Sequence, residues 1–183
     1  SSAISVIDKV YRWPTNSEPV CVLDPTMLLT ADEYINHFHL GDKSSHVVTY
    51  VIDKSNDYKH LKESLGDSVL EIGSPDNYER NLIMVPEWLE AIKNADLVIT
   101  DSFHGKVFSI IFHRQFYVIH NNGRCNTRIE SLLNMLGIND HIQTDGHLRI
   151  SANDNPIDWE EVETRLNILR INSISFLKEN LTK

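Results

Sequence analysis

The densest chemical signal in the chain is the stretch Ala95-Asp96-Leu97-Val98-Ile99-Thr100-Asp101-Ser102-Phe103-His104-Gly105-Lys106-Val107-Phe108-Ser109. An apolar run enters a polar turn and leaves it as a second apolar run, so a buried strand should hand over directly to a buried helix. The first N–H groups of such a helix have no partner within it and carry the positive end of the macrodipole, which makes them a ready anion site. Ser102 can cap the helix or donate its hydroxyl. Gly105, lacking a Cβ, lets a ligand approach the backbone closely. His104 and Lys106 add donors and charge, and His104 can carry a proton near neutral pH, as a general acid must. The same residues have a plainer reading. Asp101 and Ser102 are common helix caps, and a turn between strand and helix needs such residues for structure alone.

The elements that must hold this turn in place follow from the pattern on either side. Short β-rich runs alternate with longer helical patterns, the mark of an α/β domain with a mostly parallel sheet. Val20–Leu23 is a short apolar run stopped by Asp24-Pro25, and Thr30-Ala31-Asp32-Glu33 has the spacing of a capping box. Val47–Ile52 reads as a buried strand, Lys59–Leu65 as a helix stopped by Gly66, and Val69–Ile72 as the next strand. Gly73–Val85 reads as a connection. Pro86 suits the first turn of a helix with Trp88, Leu89 and Ile92 on its apolar face and Ala95 extending it. Leu97–Thr100 is a strand, Asp101–Gly105 a tight turn and Lys106–Phe112 an apolar helix. Phe116–Ile119 is a strand, Asn121–Asn126 a polar loop, and Thr127–Leu136 a helix ended by Gly137. Asp158-Trp159-Glu160-Glu161 opens a last helix whose stripe is Val162, Leu166, Leu169, Ser173, Leu177 and Leu181. The expected total is five or six strands with helices on both faces, the fourth β-segment leading into the His104 turn. Residues 1–19 read as a tail or linker and residues 20–183 as one Rossmann-like domain. Ligands of doubly wound sheets lie outside the carboxyl ends of the strands, which directs attention to the loops after Ile72, Thr100 and Ile119.

Composition narrows the class. With 183 residues, 41% hydrophobic and 23% charged, the chain has the material for one large core. A formal net charge of −9 argues against general binding to nucleic acid or to an anionic membrane surface. An anionic ligand must therefore be held by a local cluster. Cys21 and Cys125 form neither a zinc spacing nor a disulfide framework, so a reducing compartment is the simpler expectation. No apolar run approaches ~18 residues, so no membrane span is expected. The N-terminus, Ser1-Ser2-Ala3-Ile4, lacks the features of a signal peptide, and its missing Met suggests a processed or truncated chain. Nine histidines raise the question of a metal. His37 and His39 are two apart and point away from each other on a helix, and no H-x-x-x-H or H-E-x-x-H occurs, so no metal site and no cofactor are expected.

The Thr-Asp-Ser-Phe-His-Gly turn and the Phe-Ser-Ile-Ile-Phe helix after it resemble the signature of the polysaccharide pyruvyl transferase family. Val22-Leu23-Asp24-Pro25-Thr26-Met27-Leu28-Leu29 resembles the family's Asp-Pro-aromatic-Leu-Leu segment. Arg124 and Arg128, with Glu130-Ser131-Leu132-Leu133 and Leu136-Gly137-Ile138, resemble its Arg-containing loop and helix, and the closing helix from Asp158 to Leu181 also fits. The resemblance runs over nearly the whole chain from residue 20 onward.

The resemblance implies two Rossmann-like halves facing a cleft, similar to GT-B glycosyltransferases, with this chain as the C-terminal, donor-side half and an N-terminal half missing. It implies phosphoenolpyruvate as donor, a saccharide acceptor, and a sugar carrying a pyruvate ketal as product. A cytoplasmic location follows, peripheral to the inner face of the membrane. His104 matches the family's central His and would protonate the donor or assist the departing phosphate. The N–H groups from about Phe103 to Lys106 would suit the phosphate. Arg128, and less surely Arg124, would grip either anion by bidentate pairing; the plain alternative for Arg128 is a surface salt bridge within its helix. Two positions depart from the family pattern. Ser102 and His141 stand where a stronger cation can occur, which leaves two competing functions open: a nucleotide-sugar glycosyltransferase half, and a non-catalytic relative whose site has decayed.

Overall fold

The computed structural model describes residues 20–42, 45–52, 58, 62–63, 65, 69–73, 83–119, 127–138, 142–143 and 157–181. Among the described residues five strands form one sheet: β1 (Ser45–Tyr50), β2 (Val69–Glu71), β3 (Ala95–Thr100), β4 (Gln115–Ile119) and β5 (Ile142–Gln143). Their spatial order is β2-β1-β3-β4-β5, and every neighbouring pair is parallel. The helices are α1 (Ala31–Phe38), α2 (Val85–Lys93), α3 (Phe103–Ile111), α4 (Thr127–Leu136) and α5 (Trp159–Leu181), with a 3-10 turn at Pro25–Leu28.

Alternation along the strands feeds two cores. Val48, Val98, Phe116 and Val118 face one side and pack with Leu89 and Ile92 of α2, Val107, Ile110 and Ile111 of α3, and Leu132 and Leu133 of α4. Val47, Leu97, Ile99 and Ile119 face the other side, against Val51 and the helical residues Tyr58 and Leu65. Helical segments therefore cover both faces, as in a Rossmann-like sheet.

Local signals set several boundaries. Thr30 and Glu33 close a capping box on α1, Asp158 Oδ1 accepts from the N–H groups of Glu160 and Glu161, and Gly137 takes φ +78° where α4 stops. Three expectations change. Val20–Leu23 forms no strand: the Leu23 N–H bonds the Ser173 hydroxyl, 3.0 Å away, instead of a neighbouring strand. The His104 turn thus follows the third strand. Ala95 opens β3, paired with Ser45, rather than extending α2. Finally, α3 begins at Phe103, so Phe103, His104 and Gly105 are its first helical turn and the loop shrinks to Asp101-Ser102. The tail at 1–19, most of the connection after Gly73 and the loop Asn121–Asn126 lie outside the described residues.

Candidate functional site

Strand order reverses between β1 and β3: the chain leaves β1 for β2 on one side and returns to β3 on the other. The carboxyl ends of these two strands flank the crevice where parallel sheets of this kind bind ligands. Tyr50 and Thr100 are partners in that register. Thr100 Oγ1 donates to the Tyr50 carbonyl at 2.5 Å and accepts from the Ser102 N–H at 3.0 Å. Asp101 Oδ1 accepts from the Ile52 N–H at 2.8 Å. The sequence places Asp101 and Ser102 as caps; the structure adds that Asp101 ties the end of β3 to the chain leaving β1.

Each residue of the motif has a distinct placement. Ser102 is buried and is the N-cap of α3, its hydroxyl accepting from the Gly105 N–H at 3.5 Å, a long bond. Gly105 is buried against the strand: a Cβ there would lie 3.0 Å from Thr100 Cβ. Its missing side chain lets α3 sit on β3 rather than opening the backbone outward. Lys106 is only 2% exposed, and its ammonium donates to the Asp101 carbonyl at 3.3 Å. Its charge lies behind the turn and braces it. His104 is exposed and meets the Phe103 ring edge-on, with 5.5 Å between centroids.

Phe103 and His104 are adjacent in sequence but look into different grooves. Phe103 lines one of about 550 Å³ with the segment Cys21–Pro25, Met27, and Ser131, Leu132 and Met135 of α4. His104 lines another of about 440 Å³ with Tyr50, Gly73, Ile83, Val85, Trp88 and Phe108. Among the described residues lining either groove there is no Lys or Arg. The first groove's wall is set from far away. Arg170, 5% exposed on α5, donates to the carbonyls of Met27 (2.8 Å) and Leu29 (3.3 Å). Asp24 Oδ1 accepts from the N–H and hydroxyl of Thr26, at 3.0 and 2.6 Å, so it caps the 3-10 turn and borders the groove at once.

Of the remaining sequence candidates, Arg128 is in the first turn of α4, one turn before Ser131 and Leu132, but its side chain lies outside the described residues, as do Arg124 and His141 altogether. Tyr50, Trp88 and Arg170 were not singled out by the sequence as site residues. Tyr50 was within reach, because the rule of strand carboxyl ends applies to β1 as much as to the three ends chosen. Trp88 reads as helix packing, and Arg170 as one more exposed cation on a long helix.

A parallel, doubly covered sheet with a polar turn and a helix start at its order reversal defines a Rossmann-like domain. The model of the polysaccharide pyruvyl transferase family matches residues 10–123, the N-terminal two-thirds of the chain. The chain belongs to that family of transferases. No curated protein and no solved structure matches it significantly. The match corrects two expectations. It lies in the N-terminal part of the chain and leaves 124–183 unmatched, so the assignment as a C-terminal donor-side half is overturned, and the missing N-terminal half that it entailed falls with it. The Arg124–Ile138 segment and the closing helix took part in the expected resemblance but lie beyond the match. No helix among the described residues is long and apolar enough to cross a membrane.

Proposed function

We propose that the protein transfers pyruvate from phosphoenolpyruvate to a sugar of a cell-surface polysaccharide or its precursor, as a ketal, and that the Ser102–Lys106 turn is its donor site. The observation that carries this reading is the placement of His104. In a chain of this family, the exposed imidazole of the Ser102–Lys106 turn stands on the first turn of α3, beside the order reversal of the sheet.

The donor lies over the start of α3 on the Phe103 side, near the positive end of the helix dipole. The guanidinium charge that the described groove walls lack would come from the sequence candidates Arg128 and Arg124. One acceptor hydroxyl adds to C2 of the donor while its proton, relayed by His104, goes to C3 and turns the methylene into a methyl. A second hydroxyl then bonds to C2 as the C2–O bond to phosphate breaks, and its proton leaves on the phosphate. Two C–O bonds, one C–H bond and the O–H bond of the departing phosphate form as the C=C π bond, the C2–O bond to phosphate and two acceptor O–H bonds break, so no oxidant is needed. The sheet edge would act as one wall of a cleft, as in GT-B-type enzymes, and a cytoplasmic location at the inner face of the membrane suits a lipid-linked acceptor.

Titration with phosphoenolpyruvate and with UDP-sugars at low salt tests the reading. Saturable binding of phosphoenolpyruvate alone is expected. Preference for a UDP-sugar makes the protein a glycosyltransferase, and failure of both to bind makes it a decayed relative.

A further inference from the structure

The His104 groove is lined by aromatic side chains, and we infer that it holds a pyranose ring of the acceptor saccharide. The inference rests on the pyruvyl-transfer reading, since it supplies that reaction's second substrate.

Three aromatic side chains border the groove. The Trp88 ring stands edge-on to Tyr50, at 5.2 Å and 74°, and to Phe108, at 5.3 Å and 90°. Tyr50 and Trp88 are part-exposed, whereas Phe108 is buried beneath them. The remaining borders are Gly73, Ile83 and Val85, and the imidazole of His104 is the one titratable nitrogen among the lining residues. Among the described residues no carboxylate lines this groove, whereas Asp24 borders the other, and its aromatic and aliphatic lining suits a neutral guest. A pyranose is such a guest: the C–H groups of one ring face carry slight positive charge and pack on the negative face of an aromatic ring, while its hydroxyls stay in water. A volume of about 440 Å³ accommodates one sugar ring and part of a second.

Backbone packs closely on one of the groove's aromatic walls. Gly73 follows β2 with φ +70°, and a Cβ there would lie 2.6 Å from Tyr50 Cε2. The main chain thus lies flush on the Tyr50 ring at a place where a side chain would intrude. The Trp88 indole N–H is buried with no hydrogen-bond partner among the described residues, so packing against Tyr50 and Phe108, not a polar anchor, sets its ring. Because Phe103 and His104 are consecutive, a donor in the first groove and a sugar in the second would flank the same first turn of α3, with the imidazole on the sugar's side to take a hydroxyl proton.

The test uses saturation-transfer NMR on the protein with the methyl glycosides of galactose, glucose and mannose, and a parallel phosphorus NMR titration with phosphoenolpyruvate. At least one glycoside is expected to bind through one ring face. Trp88→Leu and Gly73→Ala are each expected to weaken that binding by about tenfold or more while phosphoenolpyruvate affinity stays within about twofold. Trp88→Leu keeps apolar bulk in the core, and circular dichroism verifies that each variant is folded. Absence of glycoside binding in protein that binds phosphoenolpyruvate overturns the inference, and so does glycoside binding unchanged in both folded variants. Glycoside binding without phosphoenolpyruvate binding upholds the sugar groove and instead rejects the donor reading.

Discussion

The guanidinium of Arg170 donates to the main-chain oxygen of Met27 at 2.8 Å, across 143 residues of chain. It also bonds the Leu29 carbonyl, Glu163 at 2.7 Å and Asn167 at 2.9 Å. Together with the Ser173 hydroxyl that accepts from the Leu23 N–H, it fastens the 23–29 segment to α5. That segment forms a wall of the groove beside Phe103. A helix outside the matched part of the chain thus shapes the part inside it.

Replacing Arg170 with Met removes the guanidinium donor of two carbonyls and leaves the part-buried Glu163 with His113. The expected loss is about 2–4 kcal/mol in urea unfolding, because unpaired buried polar groups keep their full desolvation cost. Arg170→Lys should recover less than half, since an ammonium cannot fork between the two carbonyls. A loss below about 0.5 kcal/mol for the Met variant, the level of an ordinary surface change, contradicts the clasp.

Gly105→Ala sets two effects against each other. Helix propensity favours Ala by about 1 kcal/mol. The new Cβ would meet Thr100, which is buried and already bonded to the Tyr50 carbonyl. Overpacking of this kind costs about 1–3 kcal/mol, so net destabilisation is expected. A variant more stable than the parent in thermal melts shows that α3 can shift freely on β3.

His104→Ala is expected to lower turnover with phosphoenolpyruvate by roughly 10²–10⁴, the usual contribution of a general acid or base. Because the side chain is exposed, stability should stay within about 0.5 kcal/mol. Full activity in this variant removes His104 from the chemistry.

Arg128→Ala should raise the phosphoenolpyruvate dissociation constant by about tenfold or more while unfolding is nearly unchanged, as expected when one charge-assisted contact to an anion is lost. The reverse outcome, a large fall in melting temperature with donor affinity preserved, assigns Arg128 to the fold.

Acid should loosen the clasp through Glu163. Burial raises its carboxyl pKa, but hydrogen bonds from His113 and Arg170 outweigh burial and hold it below the usual value. A carboxylate whose folded pKa is lowered stabilises fully above its unfolded value, near about 4, and loses that contribution as pH falls through the folded one. Glu163→Gln should therefore destabilise the protein at pH 7 and do so progressively less below about pH 4. An equal penalty at both ends in urea titrations refutes the linkage.

What the sequence by itself determined is local. The capping box at Thr30 and Glu33, the Asp158 cap, the Gly137 stop, the parallel α/β class and the strand–turn–helix around His104 all depend on hydrogen bonds or periodicity within a few residues, so a short window of chain contains their cause. The tertiary structure alone decided which side of the turn each residue serves. Lys106 and Gly105 suggested a ligand in sequence, yet packing turns both inward, one onto the Asp101 carbonyl and the other onto Thr100. Arg170, which the sequence did not single out, is buried because residues 27–29 lie against it. Tyr50 and Trp88 meet across 38 positions only when β1 and α2 pack together. Such contacts arise from the closing of the whole core, and a pattern that repeats every two or four residues has no term for them.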